Sequence, residues 1–440
     1  MSPIMDTTPI TPSSKMPCRL SISTMSLGQS YAGHTLEQRL DQAAQHGYQG
    51  IELFYDDLEY IAQTLPLIPP SSYTTETTAI PTTILMAPPT SAPTDSQLVR
   101  AAALVRAMCA KRRLTVICLQ PFRHFEGLIS RDARADRLAE LRLWCRLAGI
   151  MRTDLILIPS SFLPASLTTG DLKFIVQDLR EAADIAAAAK PPVRLCYEGL
   201  AWGTHIDTWQ ASWDVVQQVD QPNFGLCLDT FNIAARVYAD PMIHGGVQPD
   251  AEEQIAASMK ELASSVDVER VFLVQIADGA RLASPLLPGH PLYDPDLPAR
   301  MAWSRKHRLF YGEGDRSGYL PINQILNTVL GDLGYRGWLS FELFNRRASG
   351  TDASVPAEMA RRGAESWAKL VEDYGLMTEV DAEKHGSKKI KRAKNLKDSL
   401  EIEIKGDEVD GLSTGHGHSR RKSLVRWLNV CGLSQSAYEE

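Results

Sequence analysis

The chain has 440 residues, of which 44% are hydrophobic and 22% are charged, and its formal net charge is -7. This composition is ordinary for a globular protein with a sizeable core, and the net acidity argues against a general nucleic-acid-binding role. No stretch approaches the ~20 apolar residues of a membrane-spanning helix, and the N-terminus lacks the apolar centre of a secretory signal. The seven cysteines form no CxxC pair, so we expect free thiols and a cytoplasmic protein.

Short apolar segments alternate with helix-like segments along most of the chain. The predicted strands are 18–23, 50–54, 114–119, 154–159, 194–198, 224–229, 271–277 and 338–343. The predicted helices are 35–46, 96–112, 131–148, 171–189, 207–219, 251–266, 319–333 and 355–374. A doubly wound sheet also alternates in this way, but eight regular units favour a closed sheet. The pattern therefore predicts an α/β fold, a (β/α)8 TIM barrel over residues 17–375.

Four segments fall outside the regular alternation. Residues 1–16 are rich in Ser, Thr and Pro and predict a disordered N-terminus. Residues 64–95, a Pro- and Thr-rich insertion after strand 2, have the composition of a disordered excursion rather than of a lid. Residues 278–318, a long loop after strand 7, carry aromatic and basic side chains that suit a cover over the barrel mouth in contact with substrate. Residues 376–440 are dense in charge and predict a disordered tail.

Each of the last four predicted strands ends at or near a residue that can bind a hard metal ion. These residues are Glu198, Asp229, Gln275 and Glu342. The C-terminal ends of neighbouring barrel strands meet on one rim, so the four side chains should converge. Three carboxylates and one amide oxygen predict a single divalent ion, Mg²⁺ or Mn²⁺ before Co²⁺ or Zn²⁺. Simpler alternatives are that Glu198 and Asp229 cap the following helices, or that Asp278 replaces Gln275 as the ligand.

Further polar residues are expected on the same rim. Glu52 ends strand 2 and is a candidate to orient a basic side chain or bind a substrate hydroxyl. Arg123 follows strand 3 and can clamp a substrate carboxylate, or form a surface ion pair with Glu126. His205 follows strand 5 and is a candidate general base, an orienting residue or simply an exposed histidine.

The loop after strand 7 supplies three further candidates for binding a substrate anion, namely Ser304, Arg305 and Arg308. These three residues matter for substrate binding only if the loop folds over the rim.

The chain has no GxSxG elbow, no Walker A motif and no HExxH zinc pair, so no other catalytic signature competes with the four strand ends.

Several segments together resemble a known family. They are RLSISTMSLG, HGYQGIELFYDDLEY, LQPFRHFEG, YEGLAWGTHIDTW, LCLDTFNIAARVYADP, QIADG and FELFNR. They are similar to fungal 3-dehydroshikimate dehydratases of quinate catabolism, which belong to the sugar-isomerase-like, metal-dependent TIM barrels. The resemblance covers roughly residues 17–375. It implies metal binding by Glu198, Asp229, Gln275 and Glu342.

The activity that the resemblance implies is that of a hydro-lyase. It would dehydrate 3-dehydroshikimate to protocatechuate through a metal-stabilised enolate. The substrate is then a small molecule with a carboxylate and a ketone, which gives Arg123 or Arg308 a reason to point inward. No nucleic acid or membrane partner is expected, and neither the oligomeric state nor the physiological metal is predicted.

One departure from the family pattern affects the general base. Bacterial relatives carry a His three residues after the metal-binding Asp, and this chain has Asn232 there. The role of base must then pass to His205, a metal-bound hydroxide or another residue. The alternatives for the whole protein are a keto-sugar isomerase or epimerase of the same superfamily, a DNA-repair enzyme of a similar barrel, and a non-catalytic pathway protein.

Overall fold

Eight parallel strands close into a barrel in the structure, a computed structural model that describes residues 17–65 and 92–377. The strands are β1 (Arg19–Ser23), β2 (Gly50–Phe54), β3 (Thr115–Gln120), β4 (Leu155–Pro159), β5 (Arg194–Glu198), β6 (Phe224–Asp229), β7 (Val271–Ile276) and β8 (Trp338–Phe341). Each strand pairs with its neighbours in the chain, and β8 closes the barrel on β1. Because both faces of the sheet are covered, the strands are almost wholly buried and mainly apolar. The predicted TIM barrel is confirmed.

Helices surround the barrel and connect its strands. They are α1 (Leu36–Gln45), α2 (Tyr55–Thr64), α3 (Asp95–Lys111), α4 (Arg131–Met151), α5 (Leu172–Ala188), α6 (Trp209–Val219), α7 (Thr230–Val237), α8 (Ala251–Ser265), α9 (Ala299–His307), α10 (Ile322–Leu326) and α11 (Val355–Tyr374). A π-helical turn, Asn327–Asp332, extends α10. Capping boxes, in which a Thr side chain and a Gln side chain bind each other's backbone amides, start α1 and α3.

Three of these helices were not predicted from the sequence. Helix α2 follows β2 without a turn, and no side chain caps its first turn. Asp57 of α2 is buried and forms a bidentate ion pair with Arg39 of α1, with N–O distances of 2.6 and 2.8 Å. Helix α7 likewise begins directly after β6, and α9 lies inside the long loop after β7. Tertiary packing thus stabilises helices whose local sequence gives little signal.

The long loop after β7 is an ordered part of the fold. Its first residues, Asp278–Gly279, pair with Arg308–Leu309 as an antiparallel ribbon, and α9 lies between the two segments. Trp303 of α9 is fully buried, packs on Phe231 of α7 with ring centroids 4.8 Å apart, and donates from Nε1 to Ala280 O. The loop is therefore fixed beside the end of β6.

The predicted disordered segments fall largely outside the described residues, which exclude 1–16, 66–91 and 378–440. At the base of the first insertion Gln97 Nε2 donates to Leu65 O over 3.0 Å, so the two described ends of this segment lie together. At the C-terminal end Cys18 N donates to Met377 O, which places residues 376 and 377 on the barrel rather than in the predicted tail.

The six cysteines of the described ranges are free and buried. Within those ranges, none of the helices combines the length and the apolar character required to cross a membrane.

Candidate metal centre

Three carboxylates meet inside the C-terminal rim of the barrel. Glu198 ends β5, Asp229 ends β6 and Glu342 directly follows β8, and one ligand oxygen from each lies within 4.8 Å of the others. All three side chains are buried. Buried carboxylates this close repel one another unless a cation or hydrogen-bond donors lie among them. The structure thus brings together three of the four predicted ligands.

Two hydroxyl groups fix the strand ends that carry these residues. Ser26, just after β1, accepts from Leu343 N over 2.7 Å and donates to Phe341 O over 3.4 Å, so it binds the backbone on both sides of Glu342. Thr230, next to Asp229, makes the same kind of paired contact with the backbone of Ala277, at 2.9 Å in each direction. Such links hold a ligand's backbone in place before any ion binds.

Asp229 combines the two roles that the sequence left open. Its Oδ1 caps α7 by accepting from Phe231 N and Asn232 N over 2.6 and 3.1 Å. Its Oδ2 accepts from Arg308 Nη1 over 2.6 Å and from Asn232 Nδ2 over 3.1 Å. The helix cap thus uses one oxygen, and the other faces the donors inside the rim.

Gln275 lies beside Asp229 in the strand register and is fully buried. Its Nε2 donates to Glu52 Oε2 over 2.8 Å, and its Oε1 accepts from Cys227 Sγ over 3.5 Å. The alternative ligand, Asp278, faces elsewhere, because its Oδ1 accepts from the backbone amides of Gly279, Tyr319 and Leu320. Gln275 is therefore the better candidate for the fourth ligand.

Gln120, at the end of β3, belongs to the centre and was not singled out from the sequence. Its Nε2 donates to Glu52 Oε2 over 2.8 Å and to Glu342 Oε1 over 3.0 Å. The signal that could have found it is the same one that marked the ligands, a polar residue at the end of an apolar strand. Glu52 and Gln120 together connect Gln275 with Glu342 across the barrel.

Arg308 lies among the carboxylates and not at the mouth of the barrel. It is 1% exposed, and its Nη1 donates to Asp229 Oδ2 over 2.6 Å and to Glu342 Oε2 over 3.0 Å. Its Nε donates to Ser304 Oγ over 3.0 Å, and its guanidinium lies against the rings of Phe231 and Phe344. Burial opposes its charge, but Asp229 and Glu342 outweigh burial and raise the pKa of Arg308. The substrate-binding role of Ser304 and Arg308 stays a prediction, since both have partners within the centre.

The electrostatics of the centre favour an added cation. Burial and then the neighbouring Glu342 and Asp229 carboxylates raise the pKa of Glu198 well above its usual range. Burial also raises the pKa of Glu342 to about 7, although Arg308 lowers it. Burial, followed by Glu342, raises the pKa of Glu52 to about 8. A bound divalent ion would relieve these penalties, and the oxygen-only donor set is the one that hard divalent ions prefer. The residues present therefore fit a metal.

Asn232 separates two of the carboxylates. Its Nδ2 donates to Glu198 Oε1 over 2.7 Å and to Asp229 Oδ2 over 3.1 Å, and its Oδ1 accepts from Ala201 N over 3.1 Å. An amide nitrogen cannot take up a proton at working pH. At this position the chain therefore has a spacer between two ligands and no base.

The predicted rim residues His205 and Arg123, in the loops after β5 and β3, have partners in neighbouring loops or helices. His205 Nε2 lies 3.0 Å from Thr168 Oγ1, a contact between the loops after β4 and β5. Arg123 pairs with Asp56 at 3.6 Å, not with Glu126 as one alternative had it, and its side chain is 39% exposed. Loss of hydration, followed by the positive charge of Arg123, lowers the pKa of Arg305. The catalytic role of His205 and Arg123 remains a prediction.

Comparison with known proteins gives a consistent result. Residues 40–370 match the family model of the xylose isomerase-like TIM barrel. A 3-dehydroshikimate dehydratase of Neurospora crassa is 48% identical over 364 residues, which cover 83% of this chain and 96% of that protein. A 3-dehydroshikimate dehydratase of Pseudomonas putida is 30% identical over 363 residues, which cover 82% of this chain and 43% of that protein.

A solved structure adds to these sequence matches. A xylose isomerase-like TIM barrel/4-hydroxyphenylpyruvate dioxygenase fusion protein is 27% identical with a TM-score of 0.57, and the match covers 81% of this chain and 43% of that one. This chain thus spans less than half of the two longer proteins but nearly all of the Neurospora relative. The resemblance found in the sequence is confirmed.

Proposed function

We propose that this chain dehydrates 3-dehydroshikimate to protocatechuate at a divalent metal centre. The chain belongs to the xylose isomerase-like TIM-barrel family and, within it, to the 3-dehydroshikimate dehydratases. Membership of that family makes it an enzyme, a hydro-lyase. The observation that carries the proposal is the buried triad of carboxylates at successive strand ends. Quinate or shikimate catabolism in the cytoplasm is the setting we expect.

The ligands of the proposed metal are Glu198, Asp229, Gln275 and Glu342. Mg²⁺ or Mn²⁺ is the expected ion, because all four side chains offer oxygen. When bound, the ion supplies a Lewis acid that stabilises negative charge developing on a substrate oxygen. The triad also suits this ion electrostatically, since the cation would hold all three acids ionised.

The chain's own cation and amide donors keep the ligands in a fixed arrangement. Arg308 binds one oxygen of Asp229 and one of Glu342, and Asn232 binds one oxygen of Glu198 and the same oxygen of Asp229. These contacts set the spacing of the carboxylates before the reaction begins, so little reorganisation is needed during it.

Binding of the substrate carboxylate is assigned to Arg123, with Arg305 as its neighbour. Burial and the charge of Arg123 both disfavour the charged form of Arg305, and a bound anion would offset that penalty. This pairing supports an anionic substrate over a neutral sugar, and so favours dehydration over keto-sugar isomerisation. Ser304 contributes indirectly, because it fixes Arg308 through Nε.

The reaction also needs a base that removes a proton from the carbon next to the ketone. We keep His205 as the candidate, since Asn232 cannot serve. In the structure its Nε2 is bound to Thr168 Oγ1. Its part in catalysis therefore requires that this contact opens when substrate binds.

A direct assay tests the proposed function. Purified full-length chain is incubated with 3-dehydroshikimate and Mn²⁺ or Mg²⁺, and protocatechuate is followed by its ultraviolet absorbance and by mass spectrometry. We expect product with metal, none after chelation, and recovery when metal is returned. A surface variant, Glu181→Gln, serves as the control for purification and should match the unsubstituted chain. No product with any divalent metal would contradict the proposal.

A further inference from the structure

The orientation of the buried Gln275 amide matters for metal binding at this centre. A Gln side chain can present either its oxygen or its NH₂ group to a metal, and only the oxygen has a free electron pair for a hard cation. The two orientations have almost the same shape. Something in the surroundings of Gln275 must therefore decide which end faces its neighbours on β6.

Glu52 determines which end of the Gln275 amide faces β6. Its Oε2 lies 2.8 Å from Gln275 Nε2 and also accepts from Gln120 Nε2, and an oxygen that accepts from NH₂ groups repels an amide oxygen. The opposite end of the amide, Oε1, faces β6, the strand of Asp229, where its contact is with the Cys227 thiol at 3.5 Å. A thiol is a weak donor, so Oε1 keeps an electron pair for an ion.

The same carboxylate oxygen also fixes a second side chain. Gln120 Nε2 donates to Glu52 Oε2 and to Glu342 Oε1, while Arg308 Nη1 donates to Glu342 Oε2. Each oxygen of Glu342 thus has a donor in a defined direction. The position of this ligand follows from Glu52 through Gln120.

The burial of the group supports a role at the centre. Glu52 and Gln275 are fully buried and Gln120 is 1% exposed. Among the described residues Glu52 has no Arg, Lys or His partner, although a buried carboxyl is costly without one. Ordinary packing would be served better by an apolar side chain at this position.

We infer that Glu52 and Gln120 are positioning residues of the metal centre, with Glu52 holding the Gln275 amide oxygen toward β6 and Gln120 holding Glu342. This inference rests on the proposed metal centre, and it replaces the earlier expectation that Glu52 binds a substrate hydroxyl. Residues that orient metal ligands typically contribute about 10- to 100-fold to metal affinity.

The test measures Mn²⁺ affinity by isothermal titration calorimetry of the metal-free full chain, independently of activity. Glu52→Leu removes the acceptor and should weaken Mn²⁺ binding about 10- to 100-fold. Glu52→Gln keeps an acceptor oxygen and should stay within about threefold of the unsubstituted chain. An equal loss in both variants would show that the charge of Glu52, not the orientation of the amide, matters, and would overturn the inference.

A double-mutant cycle isolates the orientation effect. Gln275→Glu places an oxygen at both ends of the side chain, so its orientation no longer affects its ability to bind the ion. In that background Glu52→Leu should cost clearly less Mn²⁺ affinity than in the unsubstituted chain, because only the contact through Gln120 to Glu342 is still lost. A cost as large as in the unsubstituted chain would contradict the role assigned to Glu52.

Two controls keep the result interpretable. Glu126→Leu removes another fully buried carboxyl, which accepts from Ser161 N and the Tyr197 hydroxyl, and should lower thermal stability without weakening Mn²⁺ binding. If Glu52→Leu does not fold, Gln120→Leu tests the other half of the inference, with about a 10-fold loss expected and unchanged affinity contradicting it. Failure of the unsubstituted chain to bind Mn²⁺ would instead refute the proposed metal centre itself.

Discussion

The two sides of the barrel rim are built differently. On the strand side, at the ends of β5, β6 and β8, Glu198, Asp229 and Glu342 are buried, and their hydrogen-bond partners are buried side chains and the backbone amides at the start of α7. On the loop side, in the loops after β3 and β5, Arg123 and His205 are partly exposed, and their partners lie in neighbouring loops or helices. The first side has its geometry set by strand register before any ligand arrives. The second side has contacts that substrate can exchange, which suits recognition and proton transfer better than metal binding.

The largest effect should come from the buried side. Replacing Asp229 by Asn or Glu342 by Gln removes a charge from the triad and should lower kcat/KM by at least about 1000-fold, because the charge-stabilising centre is lost. Steady-state kinetics and Mn²⁺ titration of the same samples check this. Activity left within tenfold in both variants would show that the triad does not hold an essential ion.

On the loop side, His205→Gln should reduce kcat/KM by about 100-fold or more if this residue is the base. Its Mn²⁺ affinity should stay unchanged, because His205 contacts Thr168 and not a ligand. Rates measured across pH separate the two explanations for a loss, since removal of the base also removes one limb of the pH profile. A loss below about threefold would exclude His205 as the base.

The next prediction concerns the contribution of Arg308 to the stability of the buried carboxylates. In the metal-free chain at pH 8, Arg308→Met leaves two buried carboxylates without their cation, and the free energy of unfolding should fall by about 3–5 kcal/mol. Saturating Mn²⁺ should offset part of that loss, because the ion binds the same oxygens. Chemical denaturation with and without Mn²⁺ provides the measurement.

A second buried arginine is the matched control for this experiment. Arg362 pairs with Glu313 at 2.7 and 2.8 Å, and neither residue contacts the centre in the described structure. Arg362→Met should destabilise the chain to a similar degree, but Mn²⁺ should restore none of the difference. Equal recovery in both variants would mean that Arg308 does not interact with the metal site.

A smaller effect is expected at the exposed guanidinium groups. Arg123→Ala should lower kcat/KM by about 10- to 100-fold through loss of a charge-assisted contact with the substrate carboxylate. Arg305→Ala should cost less, since Arg305 acts as the neighbour in the proposed clamp. Kinetics with both variants check the order, and a larger loss at Arg305 would reverse the assignment.

The smallest effect concerns Glu126, a buried carboxyl outside the metal centre. Burial raises its pKa to about 7. A carboxyl whose folded-state pKa is raised contributes stability below its unfolded pKa near 4 and loses that contribution as pH rises toward 7. Glu126→Gln stays neutral, so its unfolding free energy should decline less between pH 5 and pH 8 than that of the unsubstituted chain, by on the order of 1 kcal/mol or more. Chemical denaturation of both proteins at the two pH values measures this. An equal change in unfolding free energy for the variant and the unsubstituted chain would contradict the prediction.

The contrast between the two sides also explains what the sequence could predict. The strands and the convergence of Glu198, Asp229 and Glu342 follow from local patterns, because the strand ends of a barrel share a rim. The location of Arg308 did not follow, since it depends on how the loop after β7 pairs its ends and packs α9. The partner of Arg123 was missed because Asp56 belongs to α2, a helix without a clear start signal. The role of Gln120 could not be predicted from local sequence either, because it depends on contacts with Glu52 and Glu342 from two other strands.

The most direct test of the central claim is a crystal structure of the full chain with Mn²⁺, with anomalous scattering used to locate the ion. The account predicts one strong anomalous peak bound by oxygens of Glu198, Asp229, Gln275 and Glu342, each at about 2.0–2.3 Å. A peak at another location, or one bound by the carboxylates without the Gln275 oxygen, would contradict the four-ligand centre.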